Sequence, residues 1–145
     1  MVDAIILTGP TASGKSKAAL ELASKIKGEI INADSMQLYR HLPILTACPS
    51  EADKTKIQHH LYEVLGDNDL GSAGWWYHEV CDLIKQIRSQ NRMPILVGGT
   101  GLYLYTLAHG LSEIPGIPDA VRQQAREFAK KENLHSIVAQ YDPIA

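Results

Sequence analysis

The sequence GPTASGKS occupies residues 9–16 and directly follows an apolar run at residues 4–7. The run is typical of a buried strand, and a pattern of apolar side chains after the motif predicts an amphipathic helix. That pattern consists of Ala18, Ala19, Leu22, Ala23 and Ile26. The motif has the spacing GxxxxGKS, whose glycines let the backbone curl so that successive amide N–H groups face one concavity. Strand, loop and helix together predict a phosphate-binding loop in an α/β protein.

The residues of this loop predict both its ligand and its metal. Lys15 adds a full positive charge to the partial charges of the amides. Ser16 is placed to bind a Mg²⁺ ion that bridges two phosphates, because magnesium prefers hard oxygen ligands. We therefore predict Mg²⁺ as the cofactor, with Ser16 as its protein ligand. The predicted phosphate-binding set is the whole loop: Gly9, Pro10, Thr11, Ala12, Ser13, Gly14, Lys15 and Ser16.

The composition is that of an ordinary globular domain. The 145 residues are 45% hydrophobic and 21% charged, which suffices for one buried core. The net charge of −2 lacks the strong positive field of a protein that grips nucleic acid, so such a partner needs a local basic patch. The sequence shows neither a signal peptide nor a membrane span, and Cys48 and Cys81 form no CxxC pattern. We expect a cytoplasmic monomer with reduced thiols and no membrane contact.

Strand-like and helix-like segments alternate along the first part of the chain. The predicted strands cover residues 5–8, 29–33 and 94–97, and the predicted helices cover residues 14–27, residues 72–90 and a segment after Gly99. This alternation predicts a parallel sheet with crossover helices on its faces. Residues 40–53 are predicted to form a long loop, and loops of that length in compact domains usually have a function.

The sequence changes in character after Ser112. The segment IPGIP at residues 114–118 interrupts the chain, and two short amphipathic patterns follow at residues 121–129 and 134–141. We predict a phosphate-binding core over residues 1–112 and the beginning of a helical element over residues 113–145.

Residues that follow the strands are the remaining candidates for a site, because ligands of open parallel sheets bind beyond the carboxyl ends of the strands. Asp34 is a candidate general base. Its presence is explained equally well by a role as the N-cap of a helix or as an outer-sphere ligand of magnesium. Gly98 and Gly99 permit close approach of a ligand. Thr100 is either a helix N-cap or a contact to an anion. No carboxylate ends this third strand, which argues against ATP hydrolysis because NTPases hold magnesium with one.

Several motifs follow one another in order along nearly the whole chain. They are GPTASGKS at 9–16, ADSMQLYR at 33–40, HHL at 59–61, PILVGGTGLYL at 94–104 and IPDAVR at 117–122. Together they resemble the tRNA dimethylallyltransferase family. The resemblance implies transfer of a dimethylallyl group from its diphosphate to the exocyclic amine of the adenosine beside the anticodon of tRNA, with Mg²⁺. It further implies a P-loop NTPase-like core and a helical tRNA-binding insertion that begins at residue 113.

The resemblance also assigns roles to single residues. Asp34 matches the catalytic base of the family, and Thr100 matches a catalytic position that also contacts tRNA and the diphosphate. The implied tRNA contacts are Asp34, Ser35, Met36, Gln37, Thr100 and Arg122. Pro43 and Cys48 stand where family members usually have Asp and Lys. The implied partners are tRNA and dimethylallyl diphosphate.

Two other functions remain open at this point. The same loop, in a domain of this size, is compatible with a small-metabolite or nucleotide kinase. The resemblance also implies that this chain corresponds to about the first half of such an enzyme, so a catalytically silent phosphate-binding fragment is the third interpretation.

Overall fold

The computed structural model describes residues 3–41, 43–111, 117–131 and 134–142. Four parallel strands form one sheet in the order β1-β4-β2-β3. The strands are β1 (Ile5–Leu7), β2 (Gly28–Asn32), β3 (His59–His60) and β4 (Met93–Val97). The helices are α1 (Lys15–Ile26), α2 (Glu51–Lys56), α3 (Ala73–Ser89), α4 (Gly101–His109), α5 (Asp119–Lys131) and α6 (Leu134–Tyr141). The predicted α/β fold, a parallel sheet flanked by helices, is confirmed.

The two faces of the sheet bury different side chains because successive residues of a strand point to opposite sides. Ile30 and Ile95 pack in one cluster with small residues of α1, Ala19 and Ala23. The neighbouring residues Ile31 and Leu96 pack in a second cluster, with side chains of α3 and α4. In that second cluster the ring of Trp76 stacks on Tyr103 with centroids 4.5 Å apart. The apolar runs read from the sequence therefore become the two central strands of the core.

Most predicted boundaries differ from the observed ones by one residue. For α1 and α3 the reason is that residues predicted as helical are the caps of these helices. Gly14 and Lys27, predicted as helical, are the left-handed caps of α1, with φ of 85° and 55°. Ser72 is the N-cap of α3, and its hydroxyl accepts a hydrogen bond from the Trp75 amide at 3.1 Å. The second strand runs from Gly28 to Asn32 and not from 29 to 33.

Short elements were missed, among them α2 and β3, and the predicted loop over residues 40–53 is wrong in its last residues. Helix α2 begins at Glu51 and buries none of its side chains, so no apolar periodicity marks it. Its sequence signal is the cap: the Ser50 hydroxyl accepts a hydrogen bond from the Asp53 amide. Strand β3 has only two residues, which is too short for an alternating pattern to be read.

The described residues form two compact units, one ending at Leu111 and one beyond it. The second unit contains α5 and α6, and the predicted amphipathic patterns fall on these helices. The predicted boundary between residues 112 and 113 lies outside the described residues and stays a prediction. Of the helices described, none combines the length and apolarity needed to cross a bilayer.

Gly98 brings the ends of β4 and β2 into backbone contact. A Cβ atom at this position would lie 2.2 Å from the carbonyl carbon and oxygen of Ala33 and 2.7 Å from the Asp34 nitrogen. Atoms of the main chain cannot yield as the end of a flexible side chain can. Glycine is therefore required here by the neighbouring backbone itself, whatever ligand approaches.

We predict that Gly98→Ala lowers the free energy of unfolding by about 1–3 kcal/mol, the usual cost of forcing an extra methyl group into a packed site. Urea unfolding of the natural full-length chain measures this. Gly101→Ala is the matched control, because a Cβ there meets nothing within 4 Å, and it should leave stability nearly unchanged. Equal stability of the two variants would show that the turn after β2 moves away freely.

Candidate functional site

The phosphate loop is shaped by its two glycines. Gly9 has a φ of 150° and Gly14 has a φ of 85°, both in the region that side chains disfavour. Gly14 is also the N-cap residue of α1, so the loop passes directly into the first turn of that helix. The amides at a helix N-terminus favour anions, so this loop is suited to bind a phosphate beside Lys15.

The Lys15 ammonium folds back across the loop. Its Nζ donates hydrogen bonds to the carbonyl oxygens of Gly9 at 2.8 Å and Pro10 at 2.7 Å. An ammonium group has three donors, so one remains for an oxygen of a bound ligand. Gly9 and Pro10 were predicted as part of the phosphate-binding set, and in the structure their carbonyls hold the lysine.

A cavity of about 320 Å³ opens beyond the carboxyl ends of β1, β2 and β4. Its wall consists of residues 11–17 of the loop and helix α1, together with Asp34, Gln37, Thr46, Ala47, Val97 and Gly98. Among the described residues that line it, Asp34 is the only carboxylate, whereas Lys15 and Lys17 supply positive charge. The loop and the candidate base therefore share one compartment.

Asp34 both caps a turn and faces the cavity. It is the N-cap of a 3₁₀ turn at Ser35–Leu38, and its Oδ1 accepts a hydrogen bond from the Met36 amide at 3.0 Å. This is its one side-chain hydrogen bond within the described part of the chain, so Oδ2 remains available to accept a proton. The two interpretations left open by the sequence are thus compatible with each other.

Thr100 precedes α4 at the N-cap position, but its side chain does not cap that helix. Its hydroxyl oxygen accepts a hydrogen bond from the Ser35 amide at 2.9 Å, and the Thr100 amide donates to the Ala33 carbonyl at 3.2 Å. Thr100 is not among the residues that line the cavity. It joins the turn after β4 to the turn after β2.

Thr46 and Ala47 form one side of the cavity, and the Gln37 side chain binds both of them. The side-chain Nε2 of Gln37 donates to the carbonyl oxygens of Thr46 at 2.7 Å and Ala47 at 3.1 Å. Both of these residues line the cavity, and neither was singled out from the sequence as a site residue. Burial raises the pKa of the neighbouring Cys48 thiol, which disfavours the reactive thiolate.

The remaining predicted residues occupy varied positions. Ser16 is exposed and lines the cavity, and Met36 is exposed at the start of the 3₁₀ turn. Arg122 lies on α5 in the second unit, where its Nε donates to the Ile117 carbonyl at 3.3 Å. Because Arg122 belongs to the second unit, it is not part of the site described for the first unit.

The residues present are compatible with Mg²⁺. Within the described ranges, no group of three or more His, Cys, Asp or Glu side chains could hold a metal by itself. Magnesium in phosphate sites is typically held by one or two protein oxygens, the phosphates and water. The Ser16 hydroxyl in the cavity wall can supply one such oxygen.

The sequence and the fold place the chain in a known family. A family model described as IPP transferase matches residues 37–145. The chain belongs to the IPP transferase family. It is 48% identical over 135 residues to a tRNA dimethylallyltransferase of Allorhizobium ampelinum and 46% identical over 142 residues to one of Parvibaculum lavamentivorans. These alignments cover 93% and 97% of this chain but only 44% and 45% of the relatives, so the chain spans less than half of their length.

Solved structures of IPP transferase family members have the same fold. The tRNA isopentenylpyrophosphate transferase of Bacillus halodurans has a TM-score of 0.73 at 32% identity, covering 99% of this chain and 49% of that one. A eukaryotic dimethylallyltransferase acting on tRNA has a TM-score of 0.81 at 28% identity, covering 97% of this chain and 36% of that one. The resemblance read from the motifs is confirmed.

We predict that Lys15→Ala weakens binding of pyrophosphate with Mg²⁺ by about 10- to 100-fold, the loss expected for one charge-assisted hydrogen bond. Isothermal titration calorimetry of the natural full-length chain measures the affinity. Lys25→Ala removes the same charge from the last turn of α1, away from the cavity lining, and should bind pyrophosphate normally. If both variants lose affinity equally, only the overall charge of the chain attracts the ligand.

Proposed function

We propose that this chain carries the diphosphate site and the catalytic base of a tRNA dimethylallyltransferase. The observation that carries the proposal is the shared cavity, in which a phosphate loop and a single carboxylate, Asp34, meet among the described lining residues. The relatives that bear this name support it, at 44–50% identity over most of the chain. The proposed substrates are tRNA and dimethylallyl diphosphate.

In the proposed reaction the phosphate loop serves the departure of a leaving group. The allylic C–O bond breaks, and its electron pair leaves with the pyrophosphate, which gains negative charge. The amides at the start of α1 and the free donor of Lys15 stabilise that charge where it develops, which is how fixed dipoles accelerate a reaction. No phosphoryl group is transferred.

Asp34 serves the other half of the same step. The exocyclic nitrogen of adenine attacks the allylic carbon, forms the new C–N bond and loses one proton. This amine is a weak nucleophile because its lone pair is delocalised into the ring, so a carboxylate that accepts the proton assists the attack. Oδ1 is held by the Met36 amide, and Oδ2 is the oxygen that takes the proton in this proposal.

Mg²⁺ is the proposed cofactor, with Ser16 as its protein ligand. When bound, it neutralises part of the charge on the diphosphate. The exposed Ser16 hydroxyl in the cavity wall supports this assignment.

The turn after β2 is proposed to contact the tRNA. Asp34, Ser35, Met36 and Gln37 form a continuous segment at the mouth of the phosphate site, and Met36 is 54% exposed. Thr100 is proposed to support this segment through its bond to the Ser35 amide, and Arg122 to add a contact from the helical unit. The helical unit that begins beyond Leu111 is proposed as the start of the tRNA-binding insertion.

A cytoplasmic monomer is proposed for this enzyme. The cytoplasmic location is supported by the proposed substrate, because tRNA is found in the cytoplasm.

A kinase is the second candidate, and the phosphate loop alone favours it. The end of β4 argues against it, because Val97 is followed by Gly98 and Gly99 where a magnesium-binding carboxylate is usual. Release of ADP from ATP in the presence of a defined acceptor, without modification of tRNA, would favour the kinase.

We predict that Asp34→Asn lowers kcat for transfer of labelled dimethylallyl to tRNA by about 10²- to 10⁴-fold, the usual contribution of a general base. The amide keeps an acceptor for the Met36 amide but has little affinity for a proton. The assay follows radioactivity in precipitated tRNA with the natural full-length chain. Asp82→Asn, at an exposed carboxylate of α3, is the control and should retain full activity. Near-normal turnover of Asp34→Asn would refute the assigned base.

We also predict that Ser16→Ala raises the Mg²⁺ concentration for half-maximal activity by about tenfold, because one hard oxygen ligand is lost. Saturating Mg²⁺ should restore most of the rate. The control is Ser89→Ala at the end of α3, whose hydroxyl donates to the Gln86 carbonyl on the surface. An unchanged Mg²⁺ dependence in Ser16→Ala would exclude that ligand.

A further inference from the structure

Asn32 is a fully buried polar side chain at the last position of β2. Its Nδ2 donates hydrogen bonds to the carbonyl oxygens of Asp34 and Leu61, both at 2.9 Å. Its Oδ1 accepts a hydrogen bond from the Asp34 amide at 2.8 Å. Both amide hydrogens and the carbonyl oxygen of this side chain are therefore engaged.

Two of these hydrogen bonds are made to the same residue, Asp34. One side chain holds both the N–H and the C=O of Asp34, so the backbone of Asp34 cannot rotate without breaking one of them. A broken bond would leave the carbonyl oxygen or an amide hydrogen of the fully buried Asn32 side chain without its partner, and that cost is large away from water. The direction in which the Asp34 carboxylate leaves the main chain is thereby fixed.

Asn32 is itself held firmly. It lies in register with Val97 of β4, and its carbonyl oxygen accepts a hydrogen bond from the indole nitrogen of Trp76 at 2.8 Å. At Gly98 the end of β4 lies against the backbone of Ala33 and Asp34, with no room for a Cβ atom between them. The side chain that grips Asp34 is thus anchored in the core of the sheet.

We propose that Asn32 is a positioning residue for the Asp34 carboxylate. By binding the N–H and the C=O of Asp34, it keeps this base directed into the phosphate cavity. This inference rests on the proposed function of Asp34. Positioning of the base can be tested separately from binding of the diphosphate, because the described hydrogen bonds of Asn32 do not include any to the phosphate loop.

The first test is Asn32→Ala in the natural full-length chain. Loss of the grip should lower kcat by about 10- to 100-fold, the scale of a misplaced catalytic group. The KM for dimethylallyl diphosphate and the affinity for pyrophosphate should change by less than about threefold, since the loop is intact.

Val80→Ala is the matched control for stability. Val80 lies on α3 and is fully buried in the hydrophobic cluster that contains Trp76. The exchange creates a cavity without removing a hydrogen bond. It should lower the melting temperature as Asn32→Ala does, with kcat within about twofold of normal. Equal losses of kcat in the two variants would overturn the proposal.

A double-mutant cycle decides whether Asn32 acts through Asp34. In an Asp34→Ala background, Asn32→Ala should lower kcat no further, because the group that it aims is gone. The same loss of kcat in both backgrounds would overturn the inference while the proposed function stands. If Asp34→Ala itself leaves kcat unchanged, the proposed function fails first.

Asn32→Ser covers the case in which the alanine variant does not fold. A serine hydroxyl can accept the hydrogen bond from the amide two residues further on, as in other short polar turns, but it cannot reach both Asp34 and Leu61 carbonyls as well. Its loss of kcat should be smaller than that of alanine, and should also vanish in the Asp34→Ala background. A loss that persists there would overturn the proposal.

Discussion

The close contact between the ends of β4 and β2 is the constraint on which the candidate site depends. Gly98 has no room for a side chain, because the backbone of Ala33 and Asp34 occupies that space. The contact brings the turn that carries Asp34 beside the phosphate loop, which follows β1 on the other side of β4. A carboxylate and a diphosphate site that are distant in the sequence thus line one cavity.

The sequence predicted the parts of this arrangement that depend on local rules. The phosphate loop is recognised because glycine spacing, a lysine and a preceding strand occur together within a few residues. The central strands and the helices α1 and α3 follow from their apolar patterns. The ends of these helices were missed by one residue, because caps such as Ser72 were counted as helical. A short helix with no buried side chain, α2, and a strand of two residues, β3, carry no such pattern.

The parts that were missed depend on contacts between distant segments. Asn32 reads as one more residue of a buried strand, and only the folded chain shows that its side chain bonds Asp34 and Leu61. Thr100 has the position of an N-cap, but its hydroxyl bonds Ser35, 65 residues away in the sequence. Thr46 and Ala47 reach the cavity because Gln37 binds their carbonyls.

The charges of the cavity agree with a reaction in which pyrophosphate leaves. Lysines and helix amides lie at the phosphate loop. Asp34, the one carboxylate among the described lining residues, lies on the turn after β2. A crystal structure of the natural full-length chain with pyrophosphate and Mg²⁺ tests this account most directly. The account predicts pyrophosphate oxygens bound by the amides of residues 12–16 and by Lys15 Nζ, with the Asp34 carboxylate facing the space beside them. Pyrophosphate bound elsewhere, or Asp34 turned out of the cavity, would contradict it.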